Sequence, residues 1–124
     1  MQRTFLAGLA VAALALVGAT IALARPAATP KLTGTVGPGF TITLKSKGKK
    51  VTTLKAGRYS FAISDKASIH NFVVERESGG KFERDLTTVP FTGAKTVTVT
   101  LKKGKWKFYC KPHESIMFGF FTVQ

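Results

Sequence analysis

Soft ligand atoms are scarce in this sequence of 124 residues. It holds one cysteine, two histidines and two methionines, one of them Met1. A lone cysteine excludes an internal disulfide, so no sulfur staple supports the fold. Acids are few as well, 6 against 19 lysines and arginines, for a formal net charge of +13. No paired-carboxylate site for acid–base work stands out, and no Ser/His/Asp set accompanies the histidines. Beyond residue 30 no apolar period of 3.6 residues is sustained, which argues against a helical bundle.

What is present begins with a leader. Residues 1–3 are short and positively charged, residues 5–24 are almost wholly apolar, and Ala22-Leu23-Ala24 is a small-x-small cleavage pattern. These are the three regions of a secretory signal peptide. The expected division is a signal peptide at 1–24, a Pro/Ala linker at 25–30 and a globular domain at 31–124. The rival is an uncleaved N-terminal membrane anchor, since the apolar run nears the ~20 residues that span a bilayer. Both readings place the domain outside the cytoplasm, as an exported protein that is periplasmic, on the cell surface or extracellular. A free thiol there is a liability unless it is buried or occupied, and a metal would occupy it. Export also sets nucleic acid aside as the partner of the positive charge. The charge then reads either as a solvated surface or as attraction to an acidic partner, an anionic lipid surface or an anionic cell-wall polymer.

After the linker the chain reads as β throughout. Thr- and Val-rich runs at 32–36, 40–45 and 51–54 are broken by Gly37-Pro38-Gly39 and Lys47-Gly48-Lys49. Residues 58–64, 69–76, 96–101, 105–110 and 118–123 supply further strands, with turns at Ser78-Gly79-Gly80 and Lys103-Gly104. Residues 82–92 read as a loop, with or without a short helix. About seven or eight strands at this spacing predict an all-β sandwich.

Side-chain direction then matters. Strand residues alternate between faces. Lys105 and Lys107 mark a wet face, so Trp106, Phe108 and Cys110 point inward, with the cysteine at the strand's end. His70, Phe72 and Val74 share a face if residues 69–76 form a regular strand.

The scarce ligands cluster. His70 lies in one stretch, and Cys110, His113 and Met117 lie in another. Each alone has an ordinary structural reading. Together, a thiolate, two imidazoles and a thioether are the ligands of a type 1 copper site. The Cys-x-x-His spacing lets a tight loop, stiffened by Pro112, return His113 to the ion at Cys110. Met117, four residues beyond His113, is placed for an axial approach.

These segments resemble the small bacterial cupredoxins of the plastocyanin/pseudoazurin kind. His70-Asn71-Phe72 is similar to that family's first-histidine motif. Phe108-Tyr109-Cys110-Lys111-Pro112-His113, with Met117 and Gly119-Phe120-Phe121-Thr122-Val123, is similar to its copper loop and last strand. The resemblance implies a Greek-key β-sandwich holding one copper ion at one end. It implies that Asn71 ties its segment to the cysteine loop. It also implies that the edge of His113 reaches the surface inside an apolar patch, here Pro112, Ile116 and Phe118, where an electron leaves. One departure is clear: three residues separate His113 from Met117, where plastocyanin-like loops usually have four. This leaves the axial ligand and the reduction potential open.

The leading reading is a monomeric, non-enzymatic copper protein that carries single electrons to redox partner proteins, some of them acidic. Two histidines are too few for a copper oxidase or nitrite reductase. The alternatives are an extracytoplasmic copper carrier or buffer without redox traffic, and a metal-free cupredoxin-like binding module.

Overall fold

The computed structural model describes residues 12–124. The start of the expected leader lies outside the described residues, and residues 12–30 are exposed without regular secondary structure. No helix among the described residues is long and apolar enough to cross a membrane.

From Lys31 onward the described chain forms ten strands: β1 (Lys31–Val36), β2 (Ile42–Ser46), β3 (Lys49–Lys50), β4 (Thr53–Leu54), β5 (Gly57–Asp65), β6 (Val73–Arg76), β7 (Phe82–Asp85), β8 (Gly93–Leu101), β9 (Gly104–Tyr109) and β10 (Phe118–Val123). One 3-10 turn, Lys111–His113, follows β9. Two five-stranded sheets result, ordered β3-β2-β1-β5-β8 and β4-β10-β9-β6-β7. Most neighbours are antiparallel, while β1 with β5 and β4 with β10 are parallel. The chain changes sheet after β3, β4, β5, β7 and β8, giving the Greek-key sandwich.

Alternation builds the core. Tyr59, Phe61 and Ile63 on β5 and Val97, Val99 and Leu101 on β8 point inward. They meet Phe72, Val74, Trp106, Phe108, Phe121 and Val123 from the second sheet. Phe72 stacks on Phe108 at 5.8 Å and Trp106 on Phe121 at 6.2 Å. Truncating a buried aromatic of this kind costs about 3–5 kcal/mol.

The strands differ from the sequence reading in three places. The expected strand at 51–54 is reduced to Thr53–Leu54, which pairs with β10, while Lys49–Lys50, at the edge of the expected turn, pairs with β2, and buried Val51 lies between them where the chain changes sheet. Residues 82–92 contain an edge strand, β7, whose side chains are exposed or half-buried. It carries no apolar alternation and so leaves no sequence signal. The expected strand at 69–76 begins only at Val73. His70 and Asn71 therefore sit in a loop, and residues 70–74 are all buried rather than alternating.

Gly119 shows how tightly this end is packed. It lies opposite Phe108 in the β9–β10 register, and an added Cβ would overlap the Phe108 ring. Gly119→Ala is expected to lower stability by about 1–3 kcal/mol through overpacking, measured as a reduced denaturant midpoint at unchanged slope.

Candidate metal centre

Cys110 follows the last residue of β9 and is fully buried, on the inward side that Trp106 and Phe108 define. The next residues turn back at once. Pro112 stands early in the 3-10 turn, and the His113 N–H donates to the Cys110 carbonyl at 3.1 Å. The Met117 N–H donates to the His113 carbonyl at 2.9 Å, and the Cys110 N–H donates to the Met117 carbonyl at 3.0 Å. The loop is thus closed on itself, and Met117 lies buried beside the cysteine backbone.

His70 arrives from the loop before β6. Its ring is fully buried and makes edge contacts with the rings of His113 and Phe40, at 4.9 and 5.6 Å. Gly37, at φ +73°, lets the β1–β2 turn close over it, since a Cβ there would come 3.0 Å from His70 Cδ2. His70 Nε2 is buried without a hydrogen-bond partner, so the ring's orientation is set by packing and by Nδ1.

One buried carboxylate holds this loop. Asp65, at the end of β5, accepts from the Ala67 N–H at 3.3 Å and from the Thr87 hydroxyl at 2.9 Å. Thr87 Oγ1 in turn accepts from the Phe72 N–H at 2.9 Å. The His70 N–H donates to the Ala67 carbonyl at 3.2 Å, and the Leu86 N–H to the Phe72 carbonyl at 2.7 Å. Sequence reasoning missed both Asp65 and Thr87. A signal existed for Asp65, which continues the inward row Tyr59, Phe61, Ile63. None existed for Thr87.

Asn71 bridges the two loops, its Oδ1 accepting from the Lys111 N–H at 2.9 Å. Outside the core, the Tyr109 hydroxyl donates to Glu83 at 2.5 Å, and Lys111 pairs with Glu83 and Asp85 at 3.3 and 2.7 Å. Burial first, and then the bond to Glu83, pushes the Tyr109 phenol well above its usual range, so it stays a donor. That bond, helped by Lys111, holds the Glu83 carboxyl below its ordinary value. Tyr109 is itself buried, although it lies on the face that the lysines mark as wet.

The three donors meet. Cys110 Sγ is 3.7 Å from Nδ1 of His70 and 3.7 Å from Nδ1 of His113, and the two Nδ1 atoms are 3.1 Å apart. A point equidistant from all three lies about 2.0 Å from each, and metal–imidazole and metal–thiolate bonds run roughly 2.0–2.3 Å. The donors therefore fit a single transition-metal ion. Among the described residues they form the only group of three or more His, Cys, Asp or Glu side chains whose donor atoms lie close enough together to hold one metal ion.

At the rim, His113 is half-buried, while Pro112 and Ile116 are exposed beside it. Phe40, which sequence reasoning placed in a strand, is instead 56% exposed and makes an edge contact with His113 at 4.9 Å. Phe118 is exposed on the outer face of β10, where its ring meets Phe120 at 5.7 Å and Lys107 Nζ at 5.5 Å. It thus belongs to a surface flanking the rim.

Two imidazoles and a thiol converging at one end of a Greek-key sandwich define a cupredoxin, a mononuclear copper protein. Residues 41–124 match the plastocyanin/azurin family of copper binding proteins. No curated protein matches the sequence significantly. Among solved structures the fold is similar to rusticyanin, a copper protein, with a TM-score of 0.54, 16% identity and 76% of each chain covered. It is equally similar to auracyanin A, a "blue" copper protein from the green thermophilic photosynthetic bacterium Chloroflexus aurantiacus, with a TM-score of 0.54 and 14% identity, covering 78% of this chain and 100% of that one. The chain belongs to the plastocyanin/azurin family of copper binding proteins, and its cofactor is one copper ion.

Two tests follow from the supports. Thr87→Val strands the Phe72 N–H and one Asp65 oxygen, both buried. It is expected to cost about 2–5 kcal/mol, whereas Thr87→Ser, which keeps the hydroxyl, costs under about 1 kcal/mol; chemical denaturation measures both. Because the folded Glu83 carboxyl lies below its ordinary value near 4.5, its contribution is complete above that value and is lost as pH falls through the folded one. Denaturant midpoints from about pH 6 to pH 3 should therefore fall more steeply for the parent than for Glu83→Gln.

Proposed function

We propose that the protein is a type 1 copper electron carrier acting outside the cytoplasm. His70, Cys110 and His113 would hold the ion, with the Met117 thioether as a further, weaker ligand. The observation that carries this reading is the convergence of two Nδ1 atoms and one Sγ on a point about 2.0 Å from each, a distance suited to metal coordination. Copper, when bound, supplies a Cu(II)/Cu(I) couple and exchanges one electron at a time.

The chain's own part is to hold the donors still and dry. Cys110 and Met117 are joined by a backbone hydrogen bond, and His113 is tied to both. His70 is held through the Asp65–Thr87–Phe72 chain and by the turn at Gly37. Asn71 locks the two loops to each other, the outer-shell kind of contact that orients ligands and tunes a metal. Donors fixed this way change little between oxidation states, which favours fast transfer. His113 is the proposed exit. Its half-buried ring and the exposed Pro112, Ile116 and Phe40 form an apolar rim on which a partner excludes water.

Membership of the plastocyanin/azurin copper-binding family supports a carrier rather than an enzyme. The net charge of +13 favours acidic redox partners. The acting unit is a monomer in this reading, since a single chain supplies all three donors.

The test is a visible absorption titration with Cu(II). An intense blue band saturating at one equivalent, bleached by ascorbate and restored by oxidant, is expected. Cys110→Ser should abolish the band, and Met117→Gln should keep a blue band while lowering the reduction potential. Tight copper binding without the band would overturn electron transfer and favour a copper buffer.

A further inference from the structure

Alternation along β6 and β7 sorts their charges. Glu75 and Glu83 are cross-strand partners, and Asp85 lies on the same outer face of the second sheet. Arg76 and Phe82 are partners on the opposite face, as are Val74 and Arg84, and Val74 belongs to the core. That face looks toward β8, the edge strand of the first sheet. The two edges do not close, and a cleft of about 400 Å³ separates them.

Arg76, Lys81, Arg84 and Lys102 line this cleft, with Phe82 and buried Trp106 as its apolar wall. No acid lines it. The ion pairs of the described residues all lie elsewhere, at Lys107–Glu114, Lys111–Glu83 and Lys111–Asp85. The cations are also partly fixed. Arg76 donates from Nε to the Lys103 carbonyl at 3.1 Å and from Nη2 to the same oxygen. Its guanidinium lies against the β6–β7 turn, where an added Cβ on Gly80 would overlap Nη1. Arg84 Nη1 approaches the Thr98 carbonyl across the gap at 3.4 Å.

Four like charges facing one recess repel one another, and among the described residues none of them is in an ion pair, although Glu75, Glu77 and Glu83 lie in the neighbouring recess beside Arg76 and Lys81. An anion would relieve the repulsion. Guanidinium forks suit the oxygens of phosphate, and the volume is that of a ligand site. The Phe82 and Trp106 rings, 5.6 Å apart, offer contact to the body that bears the anion. Trp106 lies four residues before Cys110, about 13 Å at the strand rise, so this recess is separate from the copper ligands.

We propose that the cleft between β7 and β8 is a binding site for a phosphate-bearing ligand, with Arg76, Arg84 and Lys102 contacting the phosphate oxygens and Phe82 and Trp106 its apolar part. Trp106 is the chain's one tryptophan, so its fluorescence reports on the cleft directly. The full chain, in its metal-free and Cu(I) forms, is titrated with inorganic pyrophosphate, with phosphatidylglycerol vesicles, and with sodium chloride at matched ionic strength. Backbone amide shifts are followed alongside.

A saturable change in Trp106 emission with pyrophosphate, weakened about tenfold by Arg84→Gln or Lys102→Gln, assigns a small soluble phosphate ligand. The same variant-sensitive change with the vesicles alone assigns a lipid-borne phosphate. Lys45→Gln with Lys50→Gln, on the other sheet, should leave binding within about twofold. Amide dispersion checks that every variant is folded. The proposal is overturned if chloride reproduces the change, if Arg84→Gln and Lys102→Gln bind as the parent does, or if shifts spread evenly to Lys45, Lys49 and Lys50.

Discussion

The centre depends on the register of one residue. Tyr109, the last residue of β9, lies opposite Phe118, the first of β10, and opposite Val73, the first of β6. Three chain segments therefore begin or end at the same level of the second sheet. Cys110 leaves on one strand, Met117 arrives at the second, and the His70 loop arrives at the third. A slip of one residue in either pairing would turn Cys110 to the opposite face. The register is protected by what lies further along the strands. Phe108 packs over Gly119, and Trp106 stacks on Phe121. The sandwich core thus does the aligning, and the converging donors His70, Cys110 and His113 occupy the end it has aligned.

Alignment alone does not orient a side chain, and the two histidines are handled differently. His113 is positioned locally, three residues from Cys110, through a single turn of helix. His70 has no such short tether. Its orientation depends on contacts from β5, from the loop after β7 and from the β1–β2 turn. It carries a cost as well, since Nε2 is buried without a partner, and an unpaired buried group typically costs about 1–3 kcal/mol. Such a cost persists where the surroundings over-determine the conformation. The Asp65–Thr87–Phe72 chain provides that determination through the backbone on either side of His70.

This contrast explains what was legible in the sequence. Cys110, His113 and Met117 fall within one short stretch, and the Trp106, Phe108, Cys110 alternation gives the inward direction directly. Their spacing is local, so it survives as a pattern. The support for His70 is non-local. Asp65, Thr87 and Gly37 are far apart in the chain and meet only through the fold. The expected strand through His70 misjudged its backbone for the same reason: consecutive buried residues in a loop and an apolar strand look alike in composition. Phe40 was hidden in another way, because a lone aromatic after a glycine turn reads as the start of a strand. β7 was hidden because Phe-Glu-Arg-Asp carries no apolar alternation.

Charge follows the same alternation that builds the core, and this bears on how a chain with 19 basic residues organises its surface. On β6 and β7, acids fall on one face and arginines on the other. The acids meet Lys111 and Tyr109 and so brace the loop that holds Cys110. The arginines turn away toward the open edge of the sandwich, where no acid follows them. Strand periodicity thus separates an acidic face, partly ion-paired beside the copper loop, from a cationic recess, using residues one position apart. A long-range positive field would act on both equally. The pairing of Lys111 with Glu83 and Asp85 instead acts locally, bracing the loop beside Cys110 while the net charge of the molecule remains high.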